Sequence, residues 1–237
     1  MPVCVVAGVG AGGIGENVAR KWSSEGFSIA MLARTKENLD RLEKEIPNSK
    51  GYVCDVSITA QIEPAVKTIT AELGPIDVLI FNVSAGPFKS FADTTQEEFD
   101  MALHAGPSAL FAFAKAVTPA MIERGSGIIA ISGATAAWRG MPGTYAKAAG
   151  NFAMRAVAQS MARDMAPRGI HVFHVVVDGI IDEPRTRGWM PDKPDEQFMQ
   201  PRDIAETYWA MAQQPRSCWA FEINIMAGPC FGTMASI

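Results

Sequence analysis

The chain has 237 residues, 48% of them hydrophobic and 19% charged, with a formal net charge of −4. That size favours one domain around a large core, and the balance of residue types excludes a disordered chain. Mild acidity argues against a nucleic-acid binder that relies on a broad basic face.

In chain order, apolar runs of strand length alternate with helix-like stretches. Residues 3–7 form a β-branched run, and 13–25 carry Ile14, Val18 and Trp22 at helical spacing. Residues 28–33 read as the next strand, followed by a charged helix over 36–46 that Pro47 ends. Strands over 51–54, 77–81 and 127–131 alternate with helices over 59–73 and 96–124. A long Ala/Met-rich helix near 147–166, a strand over 170–177 and a last pair near 201–213 and 220–225 complete the series. This order predicts right-handed βαβ units and a parallel sheet covered on both faces, within one domain. The strands are apolar throughout rather than alternating, as a doubly covered sheet requires. Residues 182–200 break the rhythm with three prolines and large apolar side chains, and are expected to form a lid at the carboxyl ends of the strands.

Cys4, Cys54, Cys218 and Cys230 lie far apart with no C-x-x-C pair. That spacing argues against a disulfide framework or a cysteine zinc site, and points to a reducing cytoplasm. No apolar stretch looks long enough to span a bilayer, and no signal peptide is expected. His171 and His174, three apart on a strand, face opposite sides, so no metal site is expected there.

Of 21 glycines, five fall between Gly8 and Gly15. Gly10, Gly12 and Gly15 fit G-x-G-x-x-G, with Ile14 inside the motif, after a predicted strand and before a predicted helix. Such a turn needs unusual dihedrals and a close backbone approach to a pyrophosphate, which the helix N-terminus then attracts. The second strand ends in Leu32-Ala33-Arg34, without the carboxylate that would hold a ribose 2′-hydroxyl. A guanidinium at that place suits a 2′-phosphate, so NADP(H) is predicted, with NAD(H) as the alternative.

The glycine turn, Cys54-Asp55-Val56, the run from Asp77 to Asn82, and the run from Ala166 to Val172 together resemble the short-chain dehydrogenase/reductase family. The resemblance extends to Pro201–Glu206 and so covers essentially the whole chain. It implies a Rossmann-like, doubly wound sheet of seven parallel strands, a nicotinamide cofactor, a small-molecule substrate and a homo-oligomer, dimer or tetramer. By family role, Asp55 and Val56 would touch the adenine and Asn82 would support the strand beside the cofactor. Gly179 follows Asp178 in the turn beside the nicotinamide, where the family usually has proline before glycine.

The family's catalytic set is Asn, Ser and Tyr-x-x-x-Lys, in which the lysine charge lowers the tyrosine pKa. Here the set is degraded. Tyr145 follows Ser132 by thirteen residues, the family's serine–tyrosine separation, but Ala149 stands where the lysine would be. Counting back from Pro167-Arg168-Gly169 instead puts Lys147 in the tyrosine slot and Asn151 in the lysine slot. A two-residue insertion within a packed helix would turn its faces by roughly 200°, which favours the second register; the first preserves Ser132–Tyr145. Gly106 falls where the asparagine would be, beside His104 and Pro107. Two readings of the chemistry follow: Tyr145 as acid/base assisted by Lys147 and Ser132, or Lys147 in the tyrosine's place. The function expected is hydride transfer between NADP(H) and a carbonyl or alcohol. The alternative is a dinucleotide-binding sensor or structural subunit with little dehydrogenase activity.

Overall fold

Apolar, β-branched runs bury both their faces when helices cover a parallel sheet from either side, and this chain folds that way. The computed structural model describes residues 1–230. Its strands are β1 (Val3–Ala7), β2 (Ser28–Ala33), β3 (Ser49–Val53), β4 (Ile76–Phe81), β5 (Gly127–Ala134), β6 (Ile170–Val177), the two-residue β7 (Ile180–Ile181) and β8 (Phe198–Met199), and β9 (Glu222–Ile225). One seven-stranded sheet runs β3-β2-β1-β4-β5-β6-β9 with every pair parallel. β7 and β8 pair separately. The Rossmann-like sheet expected from the sequence is therefore present. Its direction of growth reverses between β1 and β4, which opens a crevice at the carboxyl ends of the strands.

The helices are α1 (Ile14–Ser24), α2 (Lys36–Glu45), α3 (Ile62–Leu73), α4 (Gln96–Leu103), α5 (Ala109–Arg124), α6 (Tyr145–Met165), α7 (Pro184–Trp189) and α8 (Pro201–Ala212). Val18 and Trp22 of α1, Leu42 of α2 and Tyr208 of α8 pack on one face of the sheet with Val6, Ile29, Ala130 and Phe173. Ile69 of α3, Phe113 of α5 and Met154 of α6 pack on the other with Val5, Leu79, Ile129 and Ile131. Each large side chain buried in this way contributes about 1.5–3 kcal/mol. Along β5, then, odd-numbered residues look towards α5 and α6 and even-numbered ones towards α1 and α8.

Residues 96–124 do not form one uniform helix. A π-helical turn over His104–Ser108 separates α4 from α5 and accommodates Pro107, whose ring and missing N–H would break a regular α-helix. Against expectation, this run is long and apolar enough by length and composition to cross a membrane, yet half of its most apolar stretch is buried inside the fold. Residues 182–200 hold more structure than a bare excursion: α7, a 3₁₀ turn over Asp195–Gln197, and β8. Arg187 ties them together. Its Nε and Nη2 donate to Asp182 at 2.6 and 2.9 Å, Nη1 reaches Asp195, and the guanidinium lies 3.9 Å from the Phe198 ring centre. Those bonds hold the Asp182 carboxyl down at about 2.

Candidate active site

The glycine turn joins β1 to α1 at the sheet's reversal point. Gly15 must be glycine because a Cβ there would collide with the Gly8 carbonyl and crowd Asn82. Close contact between helix and strand is the physical use of the motif's last glycine. Asn82, at the end of β4, locks the turn from below, its Nδ2 donating to the Gly8 carbonyl at 2.9 Å. A cleft of about 380 Å³ opens beside these residues, lined by Gly8, Gly10, Arg34, Asp55, Val56 and Ser84 among others. Arg34 is exposed at its rim and makes no ion pair or hydrogen bond with a described residue. Asp55 is held in place through its Oδ1, which accepts from the Ser57 amide at 3.0 Å and hydroxyl at 2.7 Å. Gly-backbone cradle, flat apolar wall and unpaired cation suit the adenosine phosphate half of a dinucleotide. Over the turn itself stand Glu183 and Pro184, at the start of α7.

Ser132 is not in the same place as Tyr145 and Lys147. As an even-numbered β5 residue it points towards α8, where its Oγ donates to Asn82 Oδ1 at 2.7 Å and lies 2.6 Å from the Tyr208 hydroxyl. Burial pushes the Tyr208 phenol up, so it stays a neutral partner. The hydroxyl expected to assist the acid/base group thus lies across the sheet from α6, tied to the floor of the glycine turn.

Tyr145 and Lys147 open α6 but differ in direction. Tyr145 is 39% exposed and stacks edge-on against Phe91, ring centres 5.3 Å apart. Lys147 is half-buried and reaches the edge of the cleft: its Nζ donates to Ser84 Oγ, part of the cleft wall, at 3.0 Å and sits 5.4 Å from the Phe88 ring centre. Burial, and secondarily the charge of Arg185, lowers the Lys147 pKa from its ordinary value. Asn151, one turn on, is buried; its Nδ2 donates to the Lys147 carbonyl at 2.8 Å while its Oδ1 has no partner among the described residues. Gly106 is buried against Gly150 and Met154, and His104 is exposed on the π-helical turn.

The β5 residue that does look towards α6 is Gly133. A Cβ there would collide with the His174 imidazole, which fills the space instead. His174 is fully buried and its Nδ1 donates to Glu222 at 2.8 Å, leaving Nε2 without a partner among the described residues. Glu222 also accepts two bonds from Arg155 of α6, at 2.7 and 2.8 Å. Desolvation, outweighing the Glu222 bond, lowers the His174 pKa. His171, on the opposite face, bonds the Ala220 carbonyl at 3.0 Å and stacks on Trp219. Among the described residues no cluster of three His, Cys, Asp or Glu side chains could hold a metal ion. Gly179 packs against Met199, and the neighbouring Asp178 is buried with its Oδ1 bonded to Thr135. Sequence reasoning does not single out Gly133 or Ser84, and it weighs His174 only as a metal ligand, which the strand spacing argues against. Counting face parity along β5 from Ile129 would have found the first.

Comparison with known proteins agrees with this architecture. Residues 2–193 match the family described as short chain dehydrogenase. The human dehydrogenase/reductase SDR family member 4 is 31% identical over 192 residues, spanning 79% of this chain and 69% of that protein. The 3-oxoacyl-acyl-carrier-protein reductase FabG of Thermotoga maritima is 27% identical over 228 residues, 91% of this chain and 92% of its own. Among solved structures, a short-chain dehydrogenase from Rhodopseudomonas palustris superposes with a TM-score of 0.78 at 32% identity, covering 94% of this chain and 97% of the other. An alcohol dehydrogenase from Thermococcus sibiricus, complexed with 5-hydroxy-NADP, shares the fold at a TM-score of 0.85 and 23% identity, over 96% and 97% of the two chains. Sheet order, glycine turn and a family match across most of the length converge: the chain belongs to the short-chain dehydrogenase/reductase family of oxidoreductases.

Proposed function

We propose that the protein binds NADP(H) and catalyses hydride transfer on the carbonyl or alcohol carbon of a small or medium-sized apolar molecule, with Lys147 handling the proton. The single observation that carries this reading is Lys147 itself: a half-buried ammonium hydrogen-bonded to Ser84, a residue of the cleft wall. When bound, the nicotinamide supplies or accepts the hydride. Gly10, Gly12, Ile14 and Gly15 would face the phosphates through backbone N–H groups at the start of α1. Arg34 would pair with a 2′-phosphate, Asp55 and Val56 would flank the adenine, and Asn82 would hold the turn. Asn151 and Gly179 would border the nicotinamide side. Lys147, protonated, would donate to the oxygen of a carbonyl being reduced, and neutral would take the proton back in oxidation. Exposed Phe88, Phe91, Trp189 and Met190 support the apolar preference. NADP-bound fold relatives such as the Thermococcus sibiricus enzyme are in keeping with the cofactor assignment.

A cytoplasmic setting goes with this reading, supported by the absence of a disulfide among the described cysteines. Self-association is supported by exposed Phe111 on α5 and Phe152 on α6. A second reading, binding with little turnover, is favoured by one observation: the Ser132 hydroxyl is engaged by Asn82 and Tyr208, while Lys147 bonds Ser84. Calorimetric titration with NADPH and NADH, followed by a carbonyl panel with NADPH, separates the two. Tight NADPH binding with turnover supports the first; binding without turnover supports the second; no binding contradicts both.

A further inference from the structure

We infer that Glu183 sets the affinity for the dinucleotide, by occupying with its own carboxylate the place where the diphosphate must sit. The inference rests on the dinucleotide reading proposed above. α1 begins at Ile14 with Gly13 as its N-cap, and no side chain caps it. An uncapped helix N-terminus exposes N–H groups and the positive end of the helix dipole, the feature that a bound phosphate exploits. In this chain another anion is already there. Glu183 Oε2 stands 2.8 Å from where a Gly13 Cβ would be, and Pro184 Cδ stands 3.3 Å from the corresponding position on Gly12. The Glu183 side chain is only 14% exposed, held close against the turn.

Its position is built. Glu183 accepts from the α7 backbone in a capping box with Thr186, and its Oε1 accepts from Arg185 Nε and Nη2 at 3.1 and 2.8 Å. Glu16, the other carboxylate at the turn, accepts from the Gly12 amide at 2.9 Å but is paired with Arg20 and Arg41 of α1 and α2. From the α7 side, a diphosphate entering the turn meets one further carboxylate and one proline ring, Glu183 and Pro184. The adenosine side of the cleft, from Arg34 to Val56, is not touched by either. Glu183 thus distinguishes ligands that carry a diphosphate from those that do not. Binding of the former requires the Glu183–Pro184 corner to withdraw, and removal of the charge lowers both the repulsion and the competition for α1.

The test compares two probes on wild type and Glu183→Gln by calorimetry: NADPH, and adenosine 2′-monophosphate, which fills only the adenosine side. Gln keeps the size of the side chain and an oxygen for the cap. NADPH should bind the variant roughly five- to tenfold more tightly, while adenosine 2′-monophosphate binds both proteins alike, which also reports that the variant is folded. Unchanged or weaker NADPH binding to the variant, with the monophosphate still bound, would overturn this inference and leave the dinucleotide reading intact. Failure of both probes to bind either protein would overturn the two together.

Discussion

The two ends of the cleft are built from different materials, backbone at one and side chains at the other. At the β1–α1 end, backbone geometry does the work: Gly15 presses on Gly8, Asn82 holds the turn, and Arg34 waits at the rim. At the β5–α6 end, side chains would have to do the work, and there the expected set is rearranged. Ser132 bonds Asn82 and Tyr208, the space beside Gly133 is filled by His174, and Lys147 rather than Tyr145 bonds Ser84 of the cleft wall. The turn tolerates little change at Gly15, where a Cβ would run into the Gly8 carbonyl. A proton donor requires only a titratable group at the right place, so that end has room to drift.

The harshest way to probe this contrast is to restore a hydroxyl at the altered end. Gly133→Ser should destabilise the fold by about 2–4 kcal/mol, because its Cβ enters the buried imidazole of His174. Adding His174→Ala should recover much of that loss in thermal melts. Strictly additive losses would show that the two positions are not coupled. At the conserved-geometry end, Arg34→Ala should weaken NADPH binding about 10–100-fold and leave NADH binding unchanged, which parallel titrations would reveal. Equal effects on both cofactors would remove the 2′-phosphate assignment.

Smaller effects sharpen the boundary between the two regions. Ser132→Ala should cost about 1 kcal/mol of stability, through lost bonds to Asn82 and Tyr208, with turnover kept within a few-fold. A loss of turnover without a loss of stability would return Ser132 to the chemistry. Finally, burial lowers the His171 and His174 pKa values below the ordinary 6.5. Below that pH the unfolded chain binds protons that the folded chain refuses, so stability must fall as pH drops through 6.5. The slope contributed by each histidine cannot exceed about 1.4 kcal/mol per pH unit. Denaturant midpoints between pH 7.5 and 5.5 should show the decline, and His174→Asn should flatten it.

Much of the fold was legible because strands and helices alternate with clear punctuation. Pro47 and Pro201 mark boundaries that the structure keeps close to where the sequence places them. The glycine turn was legible for the same reason: its requirement is written in residue type. The β5–α6 end was harder to read for a physical reason. A strand covered on both faces is apolar on both, so β5 shows no alternation to reveal which way Ser132 points. The thirteen-residue spacing from Ser132 to Tyr145 was therefore read without its parity. His174 was weighed as a metal ligand, but its partner Glu222 lies 48 residues away. Only the pairing of β6 with β9 brings them together.

The central claim is that Lys147, and not Tyr145, moves the proton. It is tested most directly by NADPH-dependent reduction of a carbonyl panel, as a function of pH, in wild type, Lys147→Met and Tyr145→Phe. Reduction needs the ammonium form, so wild-type turnover should decline as pH rises through a Lys147 pKa that burial holds below 10.5. Lys147→Met should lose about 10²-fold or more in turnover, and that alkaline limb with it, while still binding NADPH. Tyr145→Phe should stay within a few-fold of wild type. Turnover abolished in Tyr145→Phe and preserved in Lys147→Met would contradict the account.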